Sequence, residues 1–171
     1  MVPLGMFKAA VEGVIKIGLF VLYLYAVSKM DMIHRLFQYH GAEHKTISTY
    51  EAGEELTVDN VRGNSRLHPR CGTSFLIFVL IISILIFSFI PWHSTIGRVG
   101  LKLLLLPLVM GLSYELIKYA GRHSNAITRA ISAPGLWLQH LTTAEPSDDM
   151  IEVAIAAVKE VLPQHGEDDT W

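Results

Sequence analysis

Two histidines and a glutamate lie close together in His40-Gly41-Ala42-Glu43-His44, which has the pattern H-x-x-E-H. The imidazoles are four residues apart, so on an α-helix they project from one face and can bind one zinc ion together. A glutamate beside them can act as general base on a bound water, whose pKa the metal lowers to about 7. The order is that of the inverzincins, the reverse of H-E-x-x-H. The alternative is that His40 and His44 are core residues whose hydrogen bonds are satisfied within the protein.

The next residues that could bind a metal are Glu51, His68 and Cys71. Glu51 lies two helical turns after His44 and therefore on the same face. His68 and Cys71 add an imidazole and a thiol at the start of a long apolar segment. If both bind the metal, no coordination position stays open, and a structural site is favoured over a catalytic one. The alternative is that this stretch is an irregular entry to a helix, with Arg70 at the lipid headgroups.

Glu115, preceded by Tyr114, lies near the end of another apolar segment. Carboxylates inside membrane helices are costly and usually functional, so Glu115 is a candidate third metal ligand. The alternative pairs it with a basic residue at the end of the same segment. Two cations, Arg70 and Lys45, could stabilise an oxygen that becomes negatively charged during a reaction.

Three apolar segments, at 74–91, 99–119 and 11–30, must position these residues. The first reaches the roughly 20 residues that cross a hydrocarbon core of about 30 Å, and its length favours a helix over a strand. The second contains a proline and a glycine, which membrane helices tolerate. The third has a shorter uncharged stretch, so it either crosses the membrane, lies at the interface or packs against the other two.

The composition agrees with a helical membrane protein. Of the 171 residues, 51% are hydrophobic and 18% are charged, against roughly 25% charged in soluble domains. The net charge of -2 provides no basic field, so we expect no nucleic-acid partner. A single cysteine excludes an intramolecular disulfide.

We therefore expect an all-α integral membrane bundle with about three long apolar helices, a cytoplasmic helix carrying H-x-x-E-H and an amphipathic C-terminal helix. Residues 1–120 form the membrane domain with a cytoplasmic loop at 31–73, and residues 121–171 form a surface segment and the C-terminal helix. Basic residues are more numerous beside the loop and the tail, which places both on the cytoplasmic side of the inner membrane. In the tail, Pro134-Gly135 predicts a helix break, and Ser147 predicts the N-cap of a helix that ends before Pro163.

Taken together, these motifs resemble the YqhQ-like family of bacterial membrane proteins. The resemblance covers nearly the whole chain, including residues 37–47, 68–75, 114–115 and 134–143. That family is a domain of unknown function, described as a predicted metal-dependent enzyme, so the resemblance implies an uncharacterised protein that binds a divalent metal. Its members are usually longer, with an N-terminal region that has its own glycine-rich motif. The resemblance thus implies that this region is absent here or is supplied by a separate partner chain.

Three functions agree with these patterns. The first is a metal-dependent hydrolase that acts at the cytoplasmic membrane face on a peptide or a lipid-linked ester or amide. His40 and His44 bind the metal, Glu43 activates water, and the remaining ligands come from Glu115, His68, Cys71 or Glu51. Imidazole and carboxylate ligands favour zinc, and they also suit iron or manganese. The second is a non-catalytic scaffold with a structural His/Cys/Glu cluster. The third is a small oligomeric transporter. Membrane lipids are expected partners, and a homo-oligomer is an open alternative.

Overall fold

All regular secondary structure is helical over the residues that the computed structural model describes, which are 4–89, 94–123 and 125–162, with side chains from residue 11 onward. This confirms the all-α prediction. Seven helices and no strand occur within these ranges: α1 (Leu4–Val27), α2 (Asp31–Glu51), α3 (Val58–Gly63), α4 (Gly72–Ser88), α5 (Thr95–Arg122), α6 (Ala126–Thr142) and α7 (Asp148–Val161).

The helices form two compact units that alternate along the chain. One, the apolar unit, consists of the described residues in 4–23 and 69–138. The other, the polar unit, consists of residues 24–68 and 139–162. Each compact unit therefore combines segments that are distant in sequence. The domain boundary expected from the sequence at residue 120 stays a prediction.

In the apolar unit, α4 and α5 pack against each other. Ile77 and Phe78 of α4 are buried, as are Val109 and Ile117 of α5. Most other large apolar side chains of α5 are exposed, and Leu104 is 74% accessible to solvent. The helix pair therefore buries one narrow face and leaves a wide apolar surface.

Within the described residues, α5 alone is long and apolar enough to cross a membrane by itself. Residues Val11–Val27 and α2 pass the same criterion only as a pair, and they are bent by 100° at the break between them. The helix α4 is apolar but has only 17 residues. Three membrane-spanning segments were predicted, and α5 is the one clear candidate among the described residues.

The helix break predicted at Pro134-Gly135 is wrong, because α6 continues through both residues. Proline lacks the N–H that a helix interior uses, so α6 lacks one backbone hydrogen bond there. Gly135 lies against α4, where an added Cβ would come within 2.6 Å of the Oγ of Ser74. Pro134-Gly135 therefore allows α6 to approach α4 closely and does not end α6.

The polar unit is built around α2 and α7, with α3 packed against both. Its apolar core consists of the buried residues Ala42, Val61, Met150, Ile151, Ala154 and Ile155. Ser147 is the N-cap of α7, as predicted, and Leu162 follows the last helical residue. Pro163 lies outside the described residues. The predicted amphipathic C-terminal helix is thus confirmed.

Ionic contacts hold the surface of the polar unit together. The guanidinium of Arg62 hydrogen-bonds both carboxylate oxygens of Asp148, at 3.1 and 2.8 Å, and so connects α3 to α7. This contact, with a further hydrogen bond to Asp59, raises the pKa of Arg62 above its ordinary value. A hydrogen bond with Ser147 lowers the pKa of Asp149 in the first turn of α7.

Candidate metal centre

His40 and His44 lie on adjacent turns of α2, as their spacing predicts. Their ring centroids are 4.3 Å apart, and the rings meet edge to face at 67°. Each ring offers a nitrogen within 4.8 Å of a nitrogen of the other. His44 is almost fully buried and His40 is partly buried. The pair is therefore close enough to share one metal ion.

Backbone carbonyl groups fix the orientation of both rings. The Nδ1 of His40 lies 2.8 Å from the carbonyl oxygen of Thr142, and the Nδ1 of His44 lies 2.7 Å from that of Arg66. A carbonyl oxygen only accepts hydrogen bonds, so each Nδ1 must donate, and in the neutral ring the lone pair is then on Nε2. Histidines that bind metals are usually held by this kind of hydrogen bond.

A third imidazole and a carboxylate lie beside the pair. The ring centroid of His68 is 5.9 Å from that of His44. Its Nε2 is 3.1 Å from the Oε2 of Glu51, the last residue of α2. His68 is buried, whereas the side chain of Glu51 is more than a third exposed. The polar unit thus brings together three histidines and one of the predicted carboxylates.

A buried glutamine holds the backbone at His68. The side chain of Gln139, which has no solvent-accessible surface, accepts a hydrogen bond from the His68 N–H at 2.8 Å and donates one to its carbonyl oxygen at 2.6 Å. The sequence did not single out Gln139, because it lies in a stretch that reads as an apolar surface helix. Its only signal was its place in the motif that carries the family resemblance.

The segments that hold the histidine rings are themselves tied together. The Nη1 of Arg66 donates to the carbonyl oxygen and to the Oγ1 of Thr143, both at 2.6 Å. Arg66 therefore links the segment that bonds His44 to the segment that bonds His40. This linkage joins residues far apart in sequence, and spacing alone could not predict it.

Lys45, which we considered for stabilising an oxyanion, is buried. Its ammonium donates to the carbonyl oxygens of Arg62 and Asn64, at 3.0 and 2.9 Å, and lies 3.1 Å from the carboxylate of Glu145. These contacts use all three donors of the ammonium group. They indicate that Lys45 fixes the end of α3.

Glu43 is exposed on α2, and its role as general base stays a prediction.

The other predicted site residues belong to the apolar unit. Cys71 is buried at the N-cap of α4, where its Sγ accepts a hydrogen bond from the Thr73 N–H at 3.4 Å. The aliphatic part of the Arg70 side chain lies against the position that a Cβ on residue 121 would take. Tyr114 and Glu115 are exposed on α5, and the metal-binding role of Glu115 also stays a prediction.

The donors in the polar unit are chemically suited to a divalent transition metal. Imidazole nitrogens bind zinc, iron and manganese, and a carboxylate completes such sites in many enzymes. The His68–Glu51 contact can serve in two ways, because the carboxylate can bind the metal or orient the imidazole that does. The chain therefore has a candidate metal centre on the polar unit.

Comparison with known proteins gives two matches. The family model described as Protein of unknown function (DUF1385) matches residues 2–164. The protein described as "Uncharacterized protein YqhQ", from Bacillus subtilis (strain 168), is 41% identical over 160 residues. The alignment covers 91% of this chain and 49% of the relative, so the chain spans about half the length of that protein. No solved structure matches the chain.

Proposed function

The chain belongs to the DUF1385 family of proteins of unknown function, and we propose that it is a divalent-metal-dependent hydrolase at the cytoplasmic face of a bacterial membrane. His40 and His44 are the proposed core of its metal site. A third ligand comes from His68, or from Cys71, three residues further along the chain. Glu115 is the remaining candidate. Zinc is the proposed ion.

One observation supports the metal site above all others. Both imidazoles of the H-x-x-E-H pair donate through Nδ1 to backbone carbonyl oxygens. The neutral tautomer that results has its lone pair on Nε2, the atom that a metal would bind. Two core histidines with no metal-binding role would not need the same tautomer and neighbouring positions on one helix face.

The residues of the chain would divide the catalytic work as follows. A divalent ion at this site supplies Lewis acidity toward a carbonyl oxygen of the substrate. Glu51, beside His68, and Glu43, predicted from the motif, are the two carboxylates that could accept a proton from the attacking water. Arg70 is the remaining candidate for stabilising a negative oxygen.

The membrane location is supported by the surface of the apolar unit. Leu103 and Leu104 on α5 are 65% and 74% exposed. Large apolar patches on a protein surface mark interaction sites or contact with lipid. We propose that α1, α4 and α5 cross the membrane, with the polar unit in the cytoplasm, as the distribution of basic residues predicts.

A second function, that of a non-catalytic membrane scaffold, is favoured by a different observation. The hydrogen bonds of His40 and His44 also tie α2 to segments that are about 20 and 100 residues away in sequence. In that case the cluster stabilises the polar unit, with or without a metal.

Metal content tests the proposal first. We would purify the full chain in detergent without a His-tag, incubate it with zinc, iron or manganese, and measure bound metal. We expect about one equivalent per chain, which His40→Ala/His44→Ala abolishes. His34→Ala is the matched control, because His34 is exposed on the same helix. A folded wild-type protein that binds no metal after reconstitution would refute the metal site.

Hydrolysis of a panel of esters and amides then separates the enzyme from the scaffold. For the enzyme, we expect Glu43→Gln, or Glu51→Gln if Glu51 is not a metal ligand, to lower the turnover rate by about 100-fold or more while metal stays bound. For the scaffold, we expect no turnover by the metal-loaded wild type, together with a lower melting temperature for His40→Ala.

A further inference from the structure

A cavity of about 170 Å³ lies within the apolar unit, between α1, α4 and α5, and most of its lining is apolar. Charged side chains reach it from two helices: Glu12 and Lys16 from α1, and Arg98 and Lys102 from α5. Such a concentration of charge is unusual among helices that are otherwise apolar. None of these residues belongs to the candidate metal centre.

Among the described residues that line the cavity, three are cations and one is a carboxylate. An Nη of Arg98 lies 3.8 Å from the Oε2 of Glu12. The ammonium of Lys102 lies 5.3 Å from the ring centroid of Phe87. The side chain of Arg98 is only 17% exposed. Positive charges that are partly removed from water are costly unless anions compensate them.

The position of these cations on α5 increases that cost. Arg98 lies in the first turn of the helix and Lys102 in the second. The first turn contains no acidic residue. Because the N-terminal end of a helix carries a partial positive charge, it favours anions and disfavours cations. A bound anion would be stabilised by the side chains and by the helix end together.

We propose that this cavity binds a phosphate group, either on a lipid headgroup or free in solution. Its volume is several times the roughly 30 Å³ that one water molecule occupies, so a phosphate fits. Arg98 and Lys102 provide the charged donors that phosphates prefer, and Ser83 adds a hydroxyl to the lining. In the proposed topology, the cavity lies at the end of α5 opposite the cytoplasm. The site is independent of the proposed hydrolase activity.

The test uses the full chain in a mild detergent and two probes. Native mass spectrometry compares binding of phosphatidylglycerol with that of phosphatidylcholine of the same acyl chains. A titration with inorganic phosphate, followed through the melting temperature, examines free phosphate. Lys102→Gln removes a cation at the cavity. Lys118→Gln is the matched control, because Lys118 is also on α5 and also lies over an aromatic ring, that of Tyr114, at 5.8 Å.

For a lipid headgroup, we expect preferential binding of phosphatidylglycerol, weakened at least about tenfold by Lys102→Gln and unchanged by Lys118→Gln. For free phosphate, we expect added phosphate to raise the melting temperature of the wild type and of Lys118→Gln, and to raise that of Lys102→Gln much less. In that case we expect no preference between the two lipids. Lys102→Arg should retain binding in either case. If neither probe distinguishes wild type from folded Lys102→Gln and Lys16→Gln, the proposal is wrong.

Discussion

Gly41, between the histidines of the candidate metal centre, is a position where another chain segment lies close against α2. A Cβ at this position would collide with the carbonyl oxygen of Ala144. Ala144 also donates its N–H to the carbonyl oxygen of Phe37 at 2.8 Å, so its backbone is held in place. The Thr142 carbonyl that bonds His40 is two residues away. The geometry of the histidine pair therefore depends on a position without a side chain.

We expect Gly41→Ala to lower the free energy of unfolding by about 1–3 kcal/mol, the usual cost of forcing an extra methyl group into a packed site. Displacement of residues 142–144 should also reduce the metal content. Denaturant titration and metal analysis of the detergent-solubilised protein measure the two effects.

Gly63 provides the control for that substitution. It ends α3 in the same polar unit, and a Cβ there would have no neighbouring atom within 4 Å. We expect Gly63→Ala to change the stability by less than about 0.5 kcal/mol. Equal destabilisation by both substitutions would show that helical glycines matter here for a reason other than close packing.

Sequence spacing predicted the histidine pair but not the groups that orient it. The interval between His40 and His44 is a local property, because helical periodicity places them on one face. The carbonyl groups of Thr142 and Arg66 become neighbours only when the chain folds. Backbone carbonyls are present at every residue, so their involvement leaves no trace in the amino-acid types.

At the scale of elements, α7 is the helix that closes the core of the polar unit. Ile151 is 1% exposed and packs in the cluster that includes Val61 of α3 and Ala42 of α2. Ala42 lies within the H-x-x-E-H motif. The packing of α7 thus supports the helix that carries the histidines.

We expect Ile151→Ala to lower the free energy of unfolding by about 2–5 kcal/mol, since it removes buried methyl groups and leaves a cavity. Denaturant titration of the full chain in detergent measures the change. Val153→Ala is the matched control on the same helix, because Val153 is more than half exposed. Similar losses for both variants would contradict the assignment of the buried face.

The prediction for α6 failed because proline and glycine have two structural uses. In a soluble chain, Pro134-Gly135 is typical of a helix end. Here the glycine admits Ser74 of α4, and the helix continues through the pair. The sequence could not distinguish these uses, since the deciding contact comes from a residue about 60 positions earlier.

At the scale of the whole molecule, the two units differ in what they bury. The polar unit has a compact core and many side-chain hydrogen bonds, whereas the apolar unit exposes large side chains along α5. The overall class was predictable because composition and segment length are properties of the whole chain. The number of membrane-spanning helices was harder to predict, because α4 has only 17 residues and Val11–Val27 passes the criterion only together with α2.

Cysteine labelling tests the proposed topology. In a Cys71→Ser background, Ile96→Cys places a thiol at the exposed start of α5, and Glu55→Cys places one before α3 in the polar unit. We expect a membrane-impermeant maleimide to label Ile96→Cys in intact spheroplasts. Glu55→Cys should react only after lysis, because the excess of basic residues near 31–73 predicts a cytoplasmic location for that loop.

The two positions have to react from opposite sides if α4 and α5 both cross the membrane, because α4 lies between them in the chain. Both are exposed, so a difference in labelling reports the membrane barrier and not burial within the protein. Labelling of both in intact spheroplasts would place the polar unit outside. Protection of both until lysis would mean that α5 lies along the membrane surface. In that case its exposed leucines would cover the bilayer from one side, and the phosphate-binding cavity would face the cytoplasm.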